Sequence, residues 1–344
     1  MSSMESGLPS RPVLETNMKR AMMIISSMIC VMCLLAATPN VSKRMPGDLP
    51  RLPNASLLLG WSPSFLYVTN PHEDVRLQPE GEQPETRDSS SLFPSISSDG
   101  KTIAYPRLKA GTPERIVAIS TYSVTTNKHT EYATGAYSGS TAISPDGSKL
   151  AYPGAKPSMR DEGTDVDNHL HIVDLKTGAQ MMGPEITSRR WPVFVSWSPD
   201  SRELVFADWG EIKVWDIDTK TVRKLANGDL PAWSPSGEWI AYFPEQDTAT
   251  GEPAFSPGRW GAKCVIVHPD GSDGKTLVDW THSKNYRAFV EPPVWSPDSQ
   301  TLLLNELDDG IKDTVTVHAL DITTLKMKTL FRRSNHILGW ARGN

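Results

Sequence analysis

Five times between residues 96 and 299 the chain runs through one short phrase: an extended apolar stretch ending in Trp or Ile, a Ser-Pro-Asp-Gly turn or a near variant, then a second apolar stretch. The copies are Ile96-Ser-Ser-Asp-Gly100, Ile143-Ser-Pro-Asp-Gly147, Trp197-Ser-Pro-Asp-Ser201, Trp233-Ser-Pro-Ser-Gly237 and Trp295-Ser-Pro-Asp-Ser299. Pro presets φ for the second position of a type I turn, Ser and Asp bond the local backbone, and Gly suits the fourth position. Each copy therefore predicts a link between two antiparallel strands.

After each turn comes a strand such as Lys149-Leu-Ala-Tyr-Pro153 or Trp239-Ile-Ala-Tyr-Phe243. A third strand follows, as in His169-Leu-His-Ile-Val-Asp174 and Glu211-Ile-Lys-Val-Trp-Asp216, and then a fourth, as in Val222-Arg-Lys-Leu225. The 28 Pro and 24 Gly agree with many turns and few long helices. Four short strands per unit, with units 36 to 62 residues apart, are the pattern of propeller blades, in which each sheet covers its neighbour. The ends complement each other. Ser56 to Trp61, Phe65 to Thr69 and Val75 to Gln78 read as second, third and fourth strands, and His336 to Trp340 reads as a first strand. The expectation is an all-β, six-bladed β-propeller of four-stranded antiparallel blades, its ring closed by strands from both termini so that no sheet edge is left free.

The repeats resemble the WD-like repeats of the TolB family, whose units carry a Trp-Ser-Pro-Asp-Gly turn, over residues 56 to 344. Trp215-Asp216 is also similar to the Trp-Asp signature of cytoplasmic WD-repeat proteins, but no Gly-His dipeptide occurs in the chain, which favours the TolB-like branch. The turns depart from the family pattern where Ser98 stands for Pro, Ser236 for Asp, and Ser201 and Ser299 for Gly. These departures are expected to affect turn quality rather than fold. The resemblance implies an extracytoplasmic propeller used as a binding platform. Some members of the family are the propeller of a larger peptidase or a sugar-acid lyase, and these residues leave no room for a peptidase domain.

The first 55 residues read differently. Ala21 to Ala37 is an uncharged apolar run preceded by Lys19-Arg20, the layout of an export signal or a short membrane anchor. Read from Met18, it has the form of a signal peptide with a small-residue cleavage site at Leu35-Ala36-Ala37. Residues 38 to 55 hold four prolines and form a linker. The domains are thus 1–37 signal or anchor, 38–55 linker and 56–344 propeller. The location is periplasmic or secreted, with any membrane contact made through the N-terminal segment alone. Beyond that segment Cys264 is the lone cysteine, so the domain stands on its core. A formal charge of −5 and scattered Lys and Arg exclude a phosphate-tracking stripe, and with it nucleic acid as a partner.

No Gly-x-Ser-x-Gly elbow or Walker loop is present. His169 and His171, beside Asp165 and Asp167, invite a metal reading, but they fall on a third strand, away from the axis. No metal, cofactor or catalytic residue is assigned. The long links carry more information. In a four-stranded meander the second-to-third links and the blade-to-blade links emerge on one face. Pro106 to Arg115, Gly154 to Asn168, Pro244 to Ala262, Ser188 to Pro192 and Thr281 to Pro293 all belong to that face. They bring Arg189, Arg190, Trp191, Arg259, Trp260, His282, Tyr286 and Arg287 to one rim, a mixture of Arg and aromatic types enriched in binding hot spots. The sequence leads to a non-enzymatic binding or scaffold module for a protein, peptide or cell-envelope ligand. The alternative is a carbohydrate-active lyase or hydrolase using the axial mouth. It would need a convergent set of His, Asp or Glu, of which the innermost strands supply few.

Overall fold

A computed structural model describes residues 92–108, 117–123, 125–126, 128–135, 139–154, 168–187, 193–244, 262–281, 287–289, 291–308, 315–333 and 336–342, together with strands Ala55–Ser62, Phe65–Thr69 and Asp74–Arg76. Every regular element among them is a strand, so no helix there is long and apolar enough to cross a membrane. The described residues lie within one unit, Gly47–Asn344. The segment at residues 21–37 lies outside the described residues.

The strands form antiparallel meanders. One sheet runs Ser95–Ile96, Thr102–Leu108, Val117–Ser123, Lys128–Gly135; the next runs Ala142–Ile143, Lys149–Pro153, His169–Asp174, Gln180–Glu185. A seven-stranded sheet follows. In it the long strand Thr221–Trp233 serves first as the outer partner of Glu211–Asp216 and then as the inner partner of Ile240–Pro244. Strands Thr301–Asp308, Val315–Asp321 and Met327–Arg333 make up most of another sheet. Finally, His336–Arg342 pairs with Ala55–Ser62, which pairs with Phe65–Thr69 and so to Asp74–Arg76. Residues 55–76 and 336–342 therefore share one four-stranded sheet.

Each predicted turn has the same internal wiring. Its first Ser accepts, at the backbone carbonyl, the N–H of the fourth residue, as in Gly147 to Ser144 at 2.8 Å and Ser299 to Ser296 at 2.9 Å. The same Ser hydroxyl donates to the Asp two residues on and accepts the N–H five residues on, as Ser198 does with Asp200 at 2.6 Å and Glu203 at 2.8 Å. Ser236 stands in for Asp by approaching the Ser234 hydroxyl at 3.1 Å and accepting the Glu238 N–H.

The sheets bury both faces. Leu204 and Phe206 pack with Ile172 and Trp197 on one side, while Val205 between them packs with Val214, Trp233 and Ile240 on the other. Alternating residues of a strand point to opposite faces, which is why this strand is apolar from Leu204 to Ala207. Trp215 lies against Gly183 of the preceding sheet, where a Cβ would come within 2.4 Å of the indole. Trp197, Trp233 and Trp295 are buried, as expected for repeat-position tryptophans. The indole N–H of Trp197 donates to the Ala142 carbonyl at 2.8 Å, and that of Trp295 to Ala232 at 3.0 Å, each reaching the preceding sheet.

The departures from the turn pattern are joints between sheets. Ser98 donates to the Pro145 carbonyl at 2.9 Å, Ser201 accepts the Asp146 N–H at 3.2 Å, and Ser299 accepts the Ser236 N–H at 2.9 Å. Ser201 and Ser299 hold φ of 61° and 58°, the left-handed backbone that glycine adopts without strain. Each serine exchanges conformational ease for a bond to its neighbour. Ser201→Ala should lose the bond and keep the strain, lowering stability by about 1 kcal/mol. Ser201→Gly should lose the same bond but release about 1 kcal/mol of left-handed strain, leaving stability near that of the parent. Thermal unfolding of the two variants checks the ranking; an Ala variant as stable as the parent would show that the joint contributes nothing.

Where the long strand changes partner its register shifts, between Asp229 and Ala232. Gly228 is required there because a Cβ would lie 2.5 Å from the Phe243 carbonyl, and Leu230, buried, holds φ 55°. Burial raises the carboxyl of Asp229, between them, to about 6, although it accepts the Leu230 N–H at 2.7 Å. A raised folded-state pKa gives stability that is full below the unfolded value of 3.8 and lost as pH rises through about 6. Turn carboxylates act in the opposite sense. Thr177 and Thr324 backbone N–H groups hold Asp174 and Asp321 below the usual range, and the Ser296 hydroxyl holds Asp298 there, so their contribution is lost only as pH falls below about 4. Between pH 4.5 and 8, Asp229→Asn should therefore become progressively more stable than the parent, by roughly 1–3 kcal/mol at the upper end. Denaturant melts across that range test it, and a constant difference would contradict it.

Candidate functional site

Leu92–Phe93 and Gly139–Ser140, which lead into the innermost strands of the first two sheets, pair in parallel. The innermost strands themselves are bound to one another less by strand pairing than by single bonds. Ile143 N–H donates to the Ser95 hydroxyl at 3.2 Å, Val195 N–H to Ser140 at 2.9 Å, and Trp233 N–H to Ser196 at 3.0 Å. The Ser-Pro-Asp-Gly turns meet through Ser98 and Pro145, Ser201 and Asp146, and Ser299 and Ser236, and so gather at one end of these strands, the turn end; the opposite end, at which each strand is entered, is the link end.

Between the innermost strands lies a cavity of about 500 Å³. Ser98, Pro145, Pro199, Pro235 and Pro297 line it at the turn end, and Phe93, Phe194, Pro231 and Glu291 toward the other. Glu291 is the one ionisable side chain among the described residues of the lining. It is buried and accepts a bond from the Asn305 amide at 2.9 Å. Such a lining offers apolar rings, hydroxyls and backbone, with a single carboxylate.

The link end is richer in charge. Asp208, fully buried at the end of the strand Glu203–Asp208, accepts the Thr187 N–H and hydroxyl at 2.9 Å each and the Lys213 ammonium at 2.8 Å. Lys213 is raised above its usual range: the bond and charge of Asp208, with the charge of Glu211, outweigh the desolvation that pulls it down. Glu306 and His318, both buried, form a second pair, with His318 Nδ1 3.1 Å from the Thr329 hydroxyl and its ring edge-on to Trp280. Asp229 stands at the same end of its sheet, opposite Phe243.

Of the rim residues chosen from sequence, Arg189, Arg190, Trp191, Arg259, Trp260, His282 and Tyr286 lie outside the described residues. Arg287 opens a short strand, Arg287–Phe289, which pairs through Asp308 and Glu306. The stretch Thr281 to Pro293, expected as a link, thus contains an extra strand on the same partner as Val294–Trp295. Asp165 and Asp167 are likewise outside the described residues. His171 is buried, its ring stacked 5.2 Å from Tyr152, and among the described residues no group of three His, Cys, Asp or Glu is placed to hold a metal ion. Sequence reasoning missed Asp208, Glu291, Glu306 and His318. Their only sequence signal is polarity near the end of an apolar strand, and their partners are set by register.

No protein-family model matches the sequence, and no curated protein does. Solved structures match in fold. TolB from Acinetobacter baumannii aligns with a TM-score of 0.57 and 16% identity over 83% of this chain and 66% of its own, so the chain spans just under two thirds of that relative. A putative TolB from Agrobacterium tumefaciens aligns at 0.51 and 18% identity, over 83% and 91%. The crystal structure of a nidogen/laminin complex contains a chain that aligns at 0.53 and 10% identity, over 84% and 98%. At these identities the likeness establishes architecture, and the fold of this chain is that of a TolB-like β-propeller.

Proposed function

We propose that the protein is an extracytoplasmic propeller of six four-stranded blades, closed by strands from both termini, and that it works as a non-enzymatic binding or scaffold module for a protein, peptide or cell-envelope ligand. The lining of the central cavity carries this reading. General acid–base catalysis needs several titratable groups converging on one point, and the described lining supplies Glu291 alone. A carbohydrate-active lyase or hydrolase at the axial mouth would need such a set, and the described residues of the lining do not supply it. One propeller of similar fold was solved in a complex of two proteins, nidogen and laminin, which agrees with a binding role. Lys19-Arg20 before the uncharged run 21–37, with a proline-rich linker behind it, supports export. Residues 1–60 fused to a reporter active only outside the cytoplasm should switch it on; a silent, stably expressed fusion would contradict export.

The binding face is the link end, whose connections carry Arg189, Arg190, Trp191, Arg259, Trp260, His282, Tyr286 and Arg287. Truncating a buried interface Arg or Trp commonly costs more than about 2 kcal/mol, roughly thirtyfold in affinity. Substituting Arg190, Trp191 and Trp260 together by Ala should weaken partner capture by at least that factor with little change in melting temperature. Lys176→Ala and Lys220→Ala, in turns of the opposite end, should leave capture intact. Equal capture by the triple variant, or a loss that only follows unfolding, would show that the wrong surface was chosen.

A further inference from the structure

We infer that Asn227 is a self-modification site, at which the folded protein converts asparagine to isoaspartate and so loosens the junction where one strand passes between sheets. The inference is independent of the binding role proposed above. Asn227-Gly228 is the single Asn-Gly pair in the sequence. An asparagine side chain can be attacked by the backbone nitrogen of the next residue, and glycine leaves that nitrogen unshielded because it has no Cβ. The Asn227 side chain is exposed and makes no hydrogen bond among the described residues, so nothing there holds its Cγ away from the chain. In the reaction the Gly228 nitrogen bonds to Asn227 Cγ, the bond from Cγ to the side-chain nitrogen breaks, and that nitrogen leaves as ammonia with the Gly228 proton. Water then opens the cyclic imide. Addition at Cγ gives aspartate; addition at the backbone carbonyl leaves the main chain running through Cβ and Cγ, one atom longer, as isoaspartate.

The fold slows this step without blocking it. Asn227 is the last residue of its strand to pair with Glu211–Asp216, and Gly228 pairs with Pro244 of the next sheet. The Gly228 N–H donates to the Gly210 carbonyl at 2.8 Å, while Pro244 has no N–H to return. Attack requires the Gly210 bond to break, and breaking it at the end of a paired stretch is a local opening, well short of global unfolding. The product then fits poorly. A Cβ on Gly228 would lie 2.5 Å from the Phe243 carbonyl and 2.8 Å from the Tyr242 ring, so the junction has no room for a longer main chain. The added charge matters less. Glu211, opposite Asn227, is already met by Lys224 at 2.7 Å and Lys213 at 3.4 Å, and these ammonium groups offset a second carboxylate beside it.

The full chain, incubated at mildly alkaline pH and digested for mass spectrometry, tests the inference against a free peptide of residues 222–233. Isoaspartate is identified by its acceptance of a methyl group from protein-isoaspartate methyltransferase. Asn227 should convert before any other asparagine of the folded chain. It should also convert more slowly than in the peptide by between about fivefold and about a hundredfold, the span of a local opening. The isoaspartyl fraction should melt at least about 2 °C below the parent. Asn227→Asp, which adds the charge without the extra atom, should melt close to the parent, and Asn227→Ser should keep its melting temperature through the same incubation. Conversion at the peptide's rate would mean that the Gly210 bond does not govern the site, and slowing beyond that span would place Asn227 in the globally protected core; either overturns the inference. So does earlier conversion of another asparagine, an isoaspartyl fraction that melts with the parent, an Asn227→Asp variant that melts as low as that fraction, or an equal loss in Asn227→Ser.

Discussion

The structure depends on a serine hydroxyl meeting the backbone N–H of the next sheet. Four of the innermost strands, Ser95–Ile96, Ala142–Ile143, Val195–Trp197 and Val294–Trp295, are only two or three residues long, too short to hold their neighbours by strand pairing. Their edges are instead satisfied one bond at a time, by Ser95, Ser140 and Ser196 toward Ile143, Val195 and Trp233, and by the Trp197 and Trp295 indoles reaching back to Ala142 and Ala232. A buried N–H without an acceptor costs more than the bond itself contributes, so each serine fixes the distance and angle between two sheets. The cavity follows from this spacing. Hydroxyls hold the strands apart where larger apolar side chains would have filled the centre.

Much of the fold is legible in the sequence because the turn residues have positional roles. Ser, Asp and Gly in the turn are chemically specific, and the apolar strand that follows each turn leaves few alternatives. Taken locally, the substitutions within that turn are losses of quality, and that is half the matter. Ser98, Ser201 and Ser299 give up a favourable turn residue and gain a bond to the adjacent turn, a purpose that cannot be seen until the neighbour is in place. The polar pairs are hidden for a similar reason. Glu306 and His318 are 12 residues apart and Glu291 and Asn305 are 14 apart, and only register brings each pair together. The strand Arg287–Phe289 escapes sequence reasoning because it adds to an edge already occupied along part of its length by Val294–Trp295, which no local pattern announces.

The two ends of the propeller differ in chemistry. At the turn end, prolines and serines meet the cavity mouth, and turn carboxylates are satisfied by their own loops. At the link end, Asp208 and Glu306 are buried and bonded to neighbouring side chains, while Glu291 is buried in the cavity lining and bonded to Asn305.

Closure is the central claim, and hydrogen exchange measures it most directly. The amides of Ile143, Val195 and Trp233 should exchange only through global unfolding in the full chain, since each is bonded to a serine of the preceding inner strand. Deleting residues 335–344 removes the strand that pairs with Ala55–Ser62, far from those amides in sequence. A closed ring predicts that protection at all three falls together after the deletion. Unchanged protection would mean that the sheets stand without closure and that the hydroxyl joints do not form a ring.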